Sequence, residues 1–519
     1  MHSWLDSFFA KHLIDRFQGG DELFLKTLMQ SAREGHLCMS YPAKPETPQG
    51  MLHEAQDLSL PCQGVRQFVL EPVVCFKDRY YLQRNWVYET HICREIRRLS
   101  IQTDAQAPLL SGLIAQNILL EEQALAIEHA FSHQLTVIAG GPGTGKTYTA
   151  GHLVRLLAAA SNVKRLYKVC LTAPTGKAAQ HLQATFSHQG LAVAVKTDTL
   201  HRLLGLMPGK TKLFTGQRID ADLIVVDEAS MIDVDLWSHL LEAVGPNTKL
   251  VLMGDPDQLP PIEAGSVFTD LSDLFGIHLN KCMRTEKIGL QQLASAIREG
   301  NEDAVIQLLE SGIGTTFPID PEALYQEIAP PIFREVPDPL VCLSHFKRLG
   351  ILGALRQGPF GIDLLNKDIV HSYTKKLVRG DFWAIPILIS SNDPRLGLYN
   401  GSFGVLIGRF DGVFNPQDAT AHFFDPLSGK TRSFSPCSLP RYEWAFCLSI
   451  HKSQGSEFES VFAFFPPGSE QFGREAFYTA ATRAKNSLKI AIAPTLLGEM
   501  LARCSRKMSS ILMRLDGRS

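Results

Sequence analysis

The stretch LTVIAGGPGTGKT (135–147) sets the fold class of this chain of 519 residues. An apolar run at 135–140 leads into a glycine-rich loop of the form G-x-x-x-x-G-K-[ST], which opens the helical segment TYTAGHLVRLLAAA (147–160). A strand that passes through such a loop into a helix is typical of a phosphate-binding loop. The backbone N–H groups of the loop and the helix N-terminus face an anion there. The sequence therefore predicts a P-loop in an α/β fold.

The loop also supplies charged and hydroxyl side chains that suit a nucleotide. Lys146 is expected to neutralise the β- and γ-phosphates, and Thr147 to hold Mg²⁺. This context favours phosphate binding over a plain glycine-rich turn. The predicted phosphate-binding residues are Gly140, Gly141, Pro142, Gly143, Thr144, Gly145, Lys146 and Thr147.

Further short apolar runs alternate with helical segments. The runs at 167–174, 221–230 and 248–256 are each candidates for buried strands. The alternation predicts a parallel sheet with helices on both faces. A proline-punctuated stretch at 313–340 precedes a second α/β region, and glycine-marked strands near 395–440 predict a small β-barrel insert within it.

The N-terminal 100 residues are predicted to be mostly helical, with a hairpin region at 66–82. We expect three units: an N-terminal domain at 1–110, a P-loop domain at 111–335, and a second α/β domain at 336–519 with the insert.

Composition excludes several classes of protein. The net charge of -2 and the pI of about 6.8 give no overall field for nucleic acid, so a polyanion would need a local basic groove. The ten cysteines form no C-x-x-C pair, which argues against a zinc or iron–sulfur site and fits reduced thiols in the cytoplasm. The N-terminus lacks the layout of a signal peptide, and no apolar run approaches 18 residues.

Polar residues follow two of the predicted strands. Asp227 and Glu228 end the run LIVVDEAS, where the first is expected to serve Mg²⁺ and the second to polarise an attacking water. Gln258 follows the next strand and is suited to sense a γ-phosphate, although a proline-bounded turn is an equal alternative. Gln123, in the helical segment before the P-loop strand, could pair with an adenine edge, but on the residues alone a solvent-facing glutamine is favoured.

Other segments carry chemistry that the residues alone leave open. Thr175 and Thr199 stand at loop–helix junctions, where they could contact a phosphate backbone or cap helices, and threonine can do both. Arg284 and Arg483 could place cations opposite the P-loop, and a surface salt bridge is the alternative for either one. SIHKSQGSEFE (449–459) is either a solvated turn or the far wall of a nucleotide site.

These segments, in this order, resemble superfamily 1 helicases, and within them RecD-type helicases, the alpha subunits of exodeoxyribonuclease V. The resemblance covers roughly residues 115–495. It is carried by the motifs GGPGTGKT, TAPTGKAA, TLHRLLG, VVDEASMID, GDPDQLPPIEAG, ALRQGPFG, LGLYNGSFG, IHKSQGSEF and YTAATRAK. The chain departs from the family pattern beside Arg284, where Met283 and Thr285 replace the usual neighbours.

The resemblance implies two RecA-like motor domains with ATP between them, an SH3-like barrel inserted in the second, and 5′→3′ movement on single-stranded DNA. It implies adenine recognition by Gln123, phosphate and Mg²⁺ binding by Lys146, Thr147 and Asp227, and water activation by Glu228. Gln258 would sense the γ-phosphate, and the arginine contacts would come from across the cleft. By the same match, Thr175, Thr199, His451 and Ser453 line the DNA path, and Glu457 contacts the ribose.

The expected function is that of an ATP-dependent helicase subunit in recombination and repair. It would act on single-stranded DNA and duplex ends beside RecB-type and RecC-type subunits, to which residues 1–110 would dock. The chain shows no carboxylate–lysine nuclease cluster, so a nuclease is expected in a partner. The alternatives are a P-loop ATPase that separates no strands and a structural subunit with a vestigial motor.

Overall fold

The structure is a computed structural model. It describes residues 2–55, 71–103, 107–108, 110–161, 165–186, 193–206, 218–281, 288–316, 321–328, 330–393, 395–425 and 429–516.

An N-terminal unit combines three helices with a four-stranded sheet. Its elements are α1 (Trp4–Phe17), α2 (Glu22–Arg33), β1 (Cys38–Ser40), β2 (Leu52–Glu54), β3 (Val73–Phe76), β4 (Arg79–Leu82) and α3 (Gln83–Leu99). The strand order is β1-β4-β3-β2. The expected hairpin is present as β3 and β4, and the described residues also contain two strands that the sequence did not predict. Strands β1 and β2 have three residues each, too few for a periodic signal.

Six parallel strands form the first large sheet, in the order β10-β5-β9-β8-β6-β7. The elements of this first unit are α4 (Ser111–Ala115), α5 (Glu121–Ser132), β5 (Leu135–Gly140), α6 (Lys146–Ala160), β6 (Tyr167–Ala173), α7 (Gly176–Thr185), β7 (Val193–Thr199), α8 (Leu200–Leu203), β8 (Leu223–Val226), α9 (Val234–Ala243), β9 (Lys249–Gly254), α10 (Val267–Phe275) and β10 (Gly276–Leu279).

Both faces of this sheet are buried. In β9, Leu250 and Leu252 join one apolar core, while Val251 and Met253 join another on the opposite face. This explains why the strands are continuous apolar runs and not alternating ones. Because parallel strands end at the same edge, the segments that follow β5, β8 and β9 lie side by side.

A second unit is built on five parallel strands in the order β11-β21-β20-β13-β19. Its elements are α11 (Ile288–Glu299), α12 (Glu302–Glu310), β11 (Thr315–Thr316), α13 (Pro321–Ile328), α14 (Pro339–Arg348), β13 (Leu349–Gly353), α15 (Ile362–Thr374), β19 (Cys447–Ser449), β20 (Phe458–Phe465), α16 (Gly473–Ala481), β21 (Ala484–Ile492) and α17 (Pro494–Ala502). The prediction of an α/β fold with parallel sheets is confirmed.

An antiparallel sheet packs against the second unit. Its strands are β12 (Ile332–Phe333), β14 (Phe382–Ile389), β15 (Phe403–Arg409), β16 (Thr420–Asp425), β17 (Lys430–Phe434) and β18 (Tyr442–Trp444). The order is β12-β14-β15-β16-β17, and β18 pairs with β14 on the same edge as β12, farther along the strand. Strands therefore occur where the sequence predicts the insert at 395–440. The sheet also includes β12 and β14, which precede that range, and β18, which follows it.

The second unit starts earlier in the chain than the predicted boundary at residue 335. Leu293 and Ile297 of α11 share an apolar core with Phe477 of α16, and β11 pairs with β21. The described parts of the proline-rich stretch at 313–340 lie inside this unit: α13 and β12 pack on the antiparallel sheet and its core, and β11 pairs with β21.

The end of the chain leaves the second unit and returns to the other two. Arg506 pairs with Asp270 of α10 at 2.7 Å, and helix α18 (Ile511–Leu515) packs against α3 and α10. None of the helices in the described ranges is long and apolar enough to cross a membrane. The eight cysteines with described positions are all free.

Candidate active site

The P-loop has the backbone shape that its glycines allow. Gly143 and Gly145 adopt positive φ angles of 78° and 87°, in the left-handed region that side chains disfavour. A Cβ on Gly145 would lie 2.6 Å from Nε2 of Gln123. The loop thus leaves β5 at Gly140 and enters α6 at Lys146, so the N-terminus of that helix follows directly from the loop.

Side chains around the loop hold its shape. Lys146 Nζ donates hydrogen bonds to the carbonyl oxygens of Gly140 (2.6 Å) and Gly141 (3.0 Å). Thr144 Oγ1 donates to the Gly141 carbonyl at 2.9 Å. Gln123 is buried, accepts the Leu120 N–H at 3.0 Å and donates to the Thr144 carbonyl at 3.4 Å. Gln123 therefore supports the P-loop, and its adenine contact stays a prediction.

The two predicted carboxylates stand beside the P-loop. Asp227 follows β8, is buried, and accepts the Glu228 N–H at 2.9 Å. Removal from water raises the pKa of Asp227, and Lys146 opposes that shift. Desolvation and Asp227 also raise the pKa of Glu228, while Arg483 and Lys146 lower it. The site holds a pair of carboxylates in which proton uptake is easier than in water.

The predicted γ-phosphate sensor, Gln258, lies in the segment that follows β9. Gln258 is 5% exposed, and its Nε2 donates to Oδ2 of Asp255 at 3.1 Å. Its Oε1 is buried and, among the described residues, has no hydrogen-bond partner. The turn that carries Gln258 is therefore packed and not exposed, and it offers one acceptor that no described group uses.

The second unit supplies one of the two predicted arginines. Arg483 is 3% exposed, and its guanidinium donates to the carbonyl oxygens of Thr479 (3.3 Å) and Ser456 (3.2 Å). Ser456 follows Gly455, on which a Cβ would lie 3.7 Å from Oε1 of Glu228, so Arg483 and Glu228 lie at the same loop. Arg284 lies outside the described residues, so its role stays a prediction.

The segment 449–459 forms part of the junction between the two units. Glu457 pairs with Lys485 at 3.3 Å, and a Cβ on Gly455 would lie 3.7 Å from Oε1 of Glu228. Ser453 is fully buried and donates to the Ile450 carbonyl at 2.7 Å. Only part of this polar segment is solvated.

His451 lies at the same junction. Its ring meets the edge of Phe472 with 5.9 Å between ring centroids, and burial lowers its pKa to about 4. The imidazole is therefore neutral at physiological pH. The DNA roles of His451 and Ser453 stay predictions.

Both predicted DNA-contacting threonines are helix N-caps. Thr175 Oγ1 accepts the Ala178 N–H at 3.3 Å, and Thr199 Oγ1 accepts the Arg202 N–H at 3.4 Å. Tyr399 of the second unit approaches the helix that Thr199 caps: its hydroxyl lies 3.2 Å from a guanidinium nitrogen of Arg202. The capping alternative is thus realised, and a phosphate contact by the same hydroxyls stays a prediction.

A cleft of about 540 Å³ opens between the two units at the P-loop. One wall carries Gly140, Pro142 and Thr144, and the other carries Tyr478 and Lys485. Tyr478 opens the motif YTAATRAK, where no local signal distinguishes it from a helix tyrosine packed in a core.

The residues of the P-loop and of the segments beside the cleft fit a nucleotide with Mg²⁺. The left-handed glycines form a cradle that side chains would fill, Lys146 supplies positive charge, and Gln258 offers an unused buried acceptor. Within the described ranges there is no group of three or more His, Cys, Asp or Glu that could hold a metal alone. A cation here would be held by Thr147 and Asp227, together with phosphate oxygens and water.

Comparison with known proteins gives the family. The family description "AAA domain" matches residues 118–313, and "UvrD-like helicase C-terminal domain" matches residues 445–490. The chain is 36% identical over 448 residues to the RecBCD enzyme subunit RecD of Mycolicibacterium smegmatis, covering 80% of this chain and 78% of that protein. The chain belongs to the RecD family. RecD of Mycobacterium tuberculosis is 33% identical over 477 residues, with coverage of 85% and 81%.

Two further similarities concern helicases outside that subunit class. The ATP-dependent RecD2 DNA helicase of Deinococcus radiodurans is 28% identical to this RecD-family chain, which covers 54% of it. Among solved structures, the Pif1 helicase from Candida albicans aligns with a TM-score of 0.44 and 18% identity, over 77% of this chain and 98% of that one.

Proposed function

We propose that this chain is an ATP-hydrolysing DNA helicase that moves 5′→3′ on single-stranded DNA. In this proposal it is one subunit of a helicase–nuclease with RecB-type and RecC-type partners. The observation that carries the proposal is the convergence of both units on one cleft. Lys146 and Glu228 come from the first unit, and Arg483 of the second bonds the carbonyl of Ser456, beside the Gly455 that lies against Glu228.

The roles of the residues follow from their positions. The P-loop amides and Lys146 bind the phosphates of ATP, whose hydrolysis supplies the free energy for movement. Thr147 and Asp227 hold Mg²⁺, and Glu228 accepts a proton from the attacking water. Arg483 stabilises negative charge that develops opposite Lys146. Because Arg483 belongs to the other unit, the set is complete only when the cleft is closed.

The remaining site residues are assigned by their motifs. Gln258 senses the γ-phosphate, and Glu457 contacts the ribose. Arg284 provides a second cation from across the cleft, and Gln123 reads adenine. Thr175, Thr199, His451 and Ser453 line the DNA path. Support for this path is the approach of Tyr399 to the edge where Thr175 and Thr199 begin their helices.

Alternating closure and opening of the cleft would move single-stranded DNA past the two units. Contacts to phosphates give a hold that does not depend on sequence. We further propose that the antiparallel sheet around β15–β17 is the SH3-like insert of the family. Residues 1–110 would dock onto the partner subunits, and the complex would act on duplex ends in the cytoplasm during repair of double-strand breaks.

The test is strand displacement on duplexes with a 5′ or a 3′ single-stranded tail, with and without the partner subunits. We expect ATP-dependent displacement on the 5′-tailed substrate, and none above background with Lys146→Gln. Displacement that Lys146→Gln leaves unchanged would exclude this motor as its source.

The two alternatives predict different results. An ATPase that separates no strands would hydrolyse ATP at the same rate with and without single-stranded DNA. A vestigial motor would not hydrolyse ATP, but Lys146, Glu228 and Arg483 are all in place in this chain. The retained set favours an active motor.

A further inference from the structure

Tyr478 is one of the residues of the second unit that contact the segment around Gln258 in the first unit. It lies on α16 and is 5% exposed. Its hydroxyl donates a hydrogen bond to Oδ2 of Asp255 at 3.1 Å. The hydroxyl oxygen of Tyr478 would also be 3.0 Å from a Cβ on Gly141, so the hydroxyl lies against the P-loop. A single group from the second unit thus reaches two nucleotide-binding segments of the first.

Asp255 connects this hydroxyl to the sensor glutamine. It is 1% exposed, and its Oδ2 accepts from Tyr478 and also from Nε2 of Gln258 at 3.1 Å. Its Oδ1 accepts the Asp257 N–H at 3.1 Å. The direction of the Gln258 amide therefore depends on Asp255, and Asp255 is held from across the cleft.

Two neighbouring contacts fix the backbone of the same segment. Thr479 Oγ1 accepts the Leu259 N–H at 2.9 Å, and Gln454 Nε2 donates to the Leu259 carbonyl at 3.0 Å. Gln454 belongs to the polar segment 449–459. We call Gln454, Tyr478 and Thr479 the latch. Every latch contact crosses between the units, so separation of the units would break all three together.

We propose that Tyr478 is a positioning residue that sets Gln258 for hydrolysis through Asp255, so that the sensor is ordered only when the cleft is closed. This inference rests on the proposed function and deepens it. Burial and the nearby Asp255 and Asp257 raise the pKa of Tyr478, which keeps its hydroxyl protonated as a donor at neutral pH. Hydrogen bonds to a charged group in a buried site are strong enough to select one side-chain orientation.

The experiment compares Tyr478→Phe with a matched tyrosine in the intact chain with its partner subunits. Tyr88, on α3, also hydrogen-bonds an aspartate, Asp235, but lies outside the cleft. For Tyr478→Phe we expect kcat of DNA-stimulated ATP hydrolysis to fall about tenfold, with KM for ATP changed less than about twofold. Tyr88→Phe should leave both unchanged. The Lys146→Gln complex gives the background rate from the partners.

A double-mutant cycle tests whether Tyr478 acts through Gln258. If it does, adding Tyr478→Phe to Gln258→Ala will lower kcat no further, because the group being positioned is already absent. Multiplicative losses would overturn the proposal, as would a wild-type kcat in Tyr478→Phe or a loss confined to KM. If Tyr478→Phe lowers the melting temperature, Asp255→Asn replaces it, with the same kcat loss and the same cycle.

The wild-type complex separates this inference from the proposed function. No DNA-stimulated hydrolysis by the wild type above the Lys146→Gln background would overturn both. Wild-type hydrolysis together with an unaffected Tyr478→Phe would overturn the positioning role alone.

Discussion

Arg514 and Glu89 form an ion pair with 3.1 Å between Nη1 and Oε1, and their side chains are only 3% and 0% exposed. The pair joins α18, near the end of the chain, to α3 of the N-terminal unit. Glu89 also accepts from the Tyr81 hydroxyl at 2.9 Å and from the Ser510 N–H at 3.0 Å. The Arg514 guanidinium lies 4.3 Å from the centre of the Trp86 ring. A buried polar cluster therefore joins helix α18 to the N-terminal unit.

Replacing Arg514 with methionine is expected to destabilise this junction. Methionine keeps the apolar contact with Trp86 but leaves the Glu89 carboxylate buried without its cation, which costs about 3–5 kcal/mol of unfolding free energy. Urea unfolding followed by tryptophan fluorescence will measure the change. In the control, Arg348→Ala breaks an exposed pair with Glu459 and should cost less than about 1 kcal/mol. Equal losses in both variants would contradict the buried pair's importance.

Arg483→Ala is expected to separate nucleotide binding from hydrolysis. The guanidinium faces the carboxylates from the other unit, so its loss should lower kcat by about 10³-fold while ATP still binds at the P-loop. Steady-state hydrolysis and binding of a fluorescent ATP analogue will measure the two effects. Arg348→Ala again serves as the control, because Arg348 ends α14 at the opposite end of the strands. If Arg483→Ala weakened ATP binding by the same factor as it lowered the rate of hydrolysis, Arg483 would act in binding ATP and not in hydrolysis.

The carboxylate pair predicts the pH dependence of hydrolysis. Desolvation raises the pKa values of Asp227 and Glu228, so the pair takes up a proton at a higher pH than ordinary carboxylates. Since Glu228 must be ionised to accept a proton, kcat/KM should fall with decreasing pH earlier than an unperturbed glutamate would require. The profile is measured alongside melting temperature, which shows whether the protein stays folded. An acid limb in the ordinary carboxylate range would refute the prediction.

Thr175 can be tested for DNA contact without removing its helix cap. Aspartate is a favoured N-cap residue, so Thr175→Asp should preserve α7, but its negative charge would oppose a DNA phosphate. We expect the affinity for single-stranded oligonucleotides at low salt to fall about tenfold. Thr175→Asn, a neutral cap, should stay close to wild type. Unchanged affinity in Thr175→Asp would leave Thr175 with capping alone.

Local patterns were sufficient to predict the first half of the site. The P-loop and the carboxylates after β8 each come directly after one buried strand. They are far apart in the chain, but parallel strands end at the same edge of a sheet, so the two segments are expected to lie close together. The sequence also indicated strands near 395–440, because glycine-marked alternation is a local signal. The prediction for residues 1–100 did not include strands β1 and β2, which are too short to show a period.

Contacts between distant segments were decided only by the tertiary structure. Nothing local distinguishes Tyr478 from a packed helix residue, and only the position of α16 against Asp255 shows its contact. The predicted boundary at residue 335 likewise moves only because α11 and α12 pack on the second sheet. The return of the last residues to α3 has no local signal either. By itself the sequence determined the P-loop segment and the α/β class, since these depend on neighbouring residues. Which side chains meet across the cleft depends on how two units pack, and no local period encodes that.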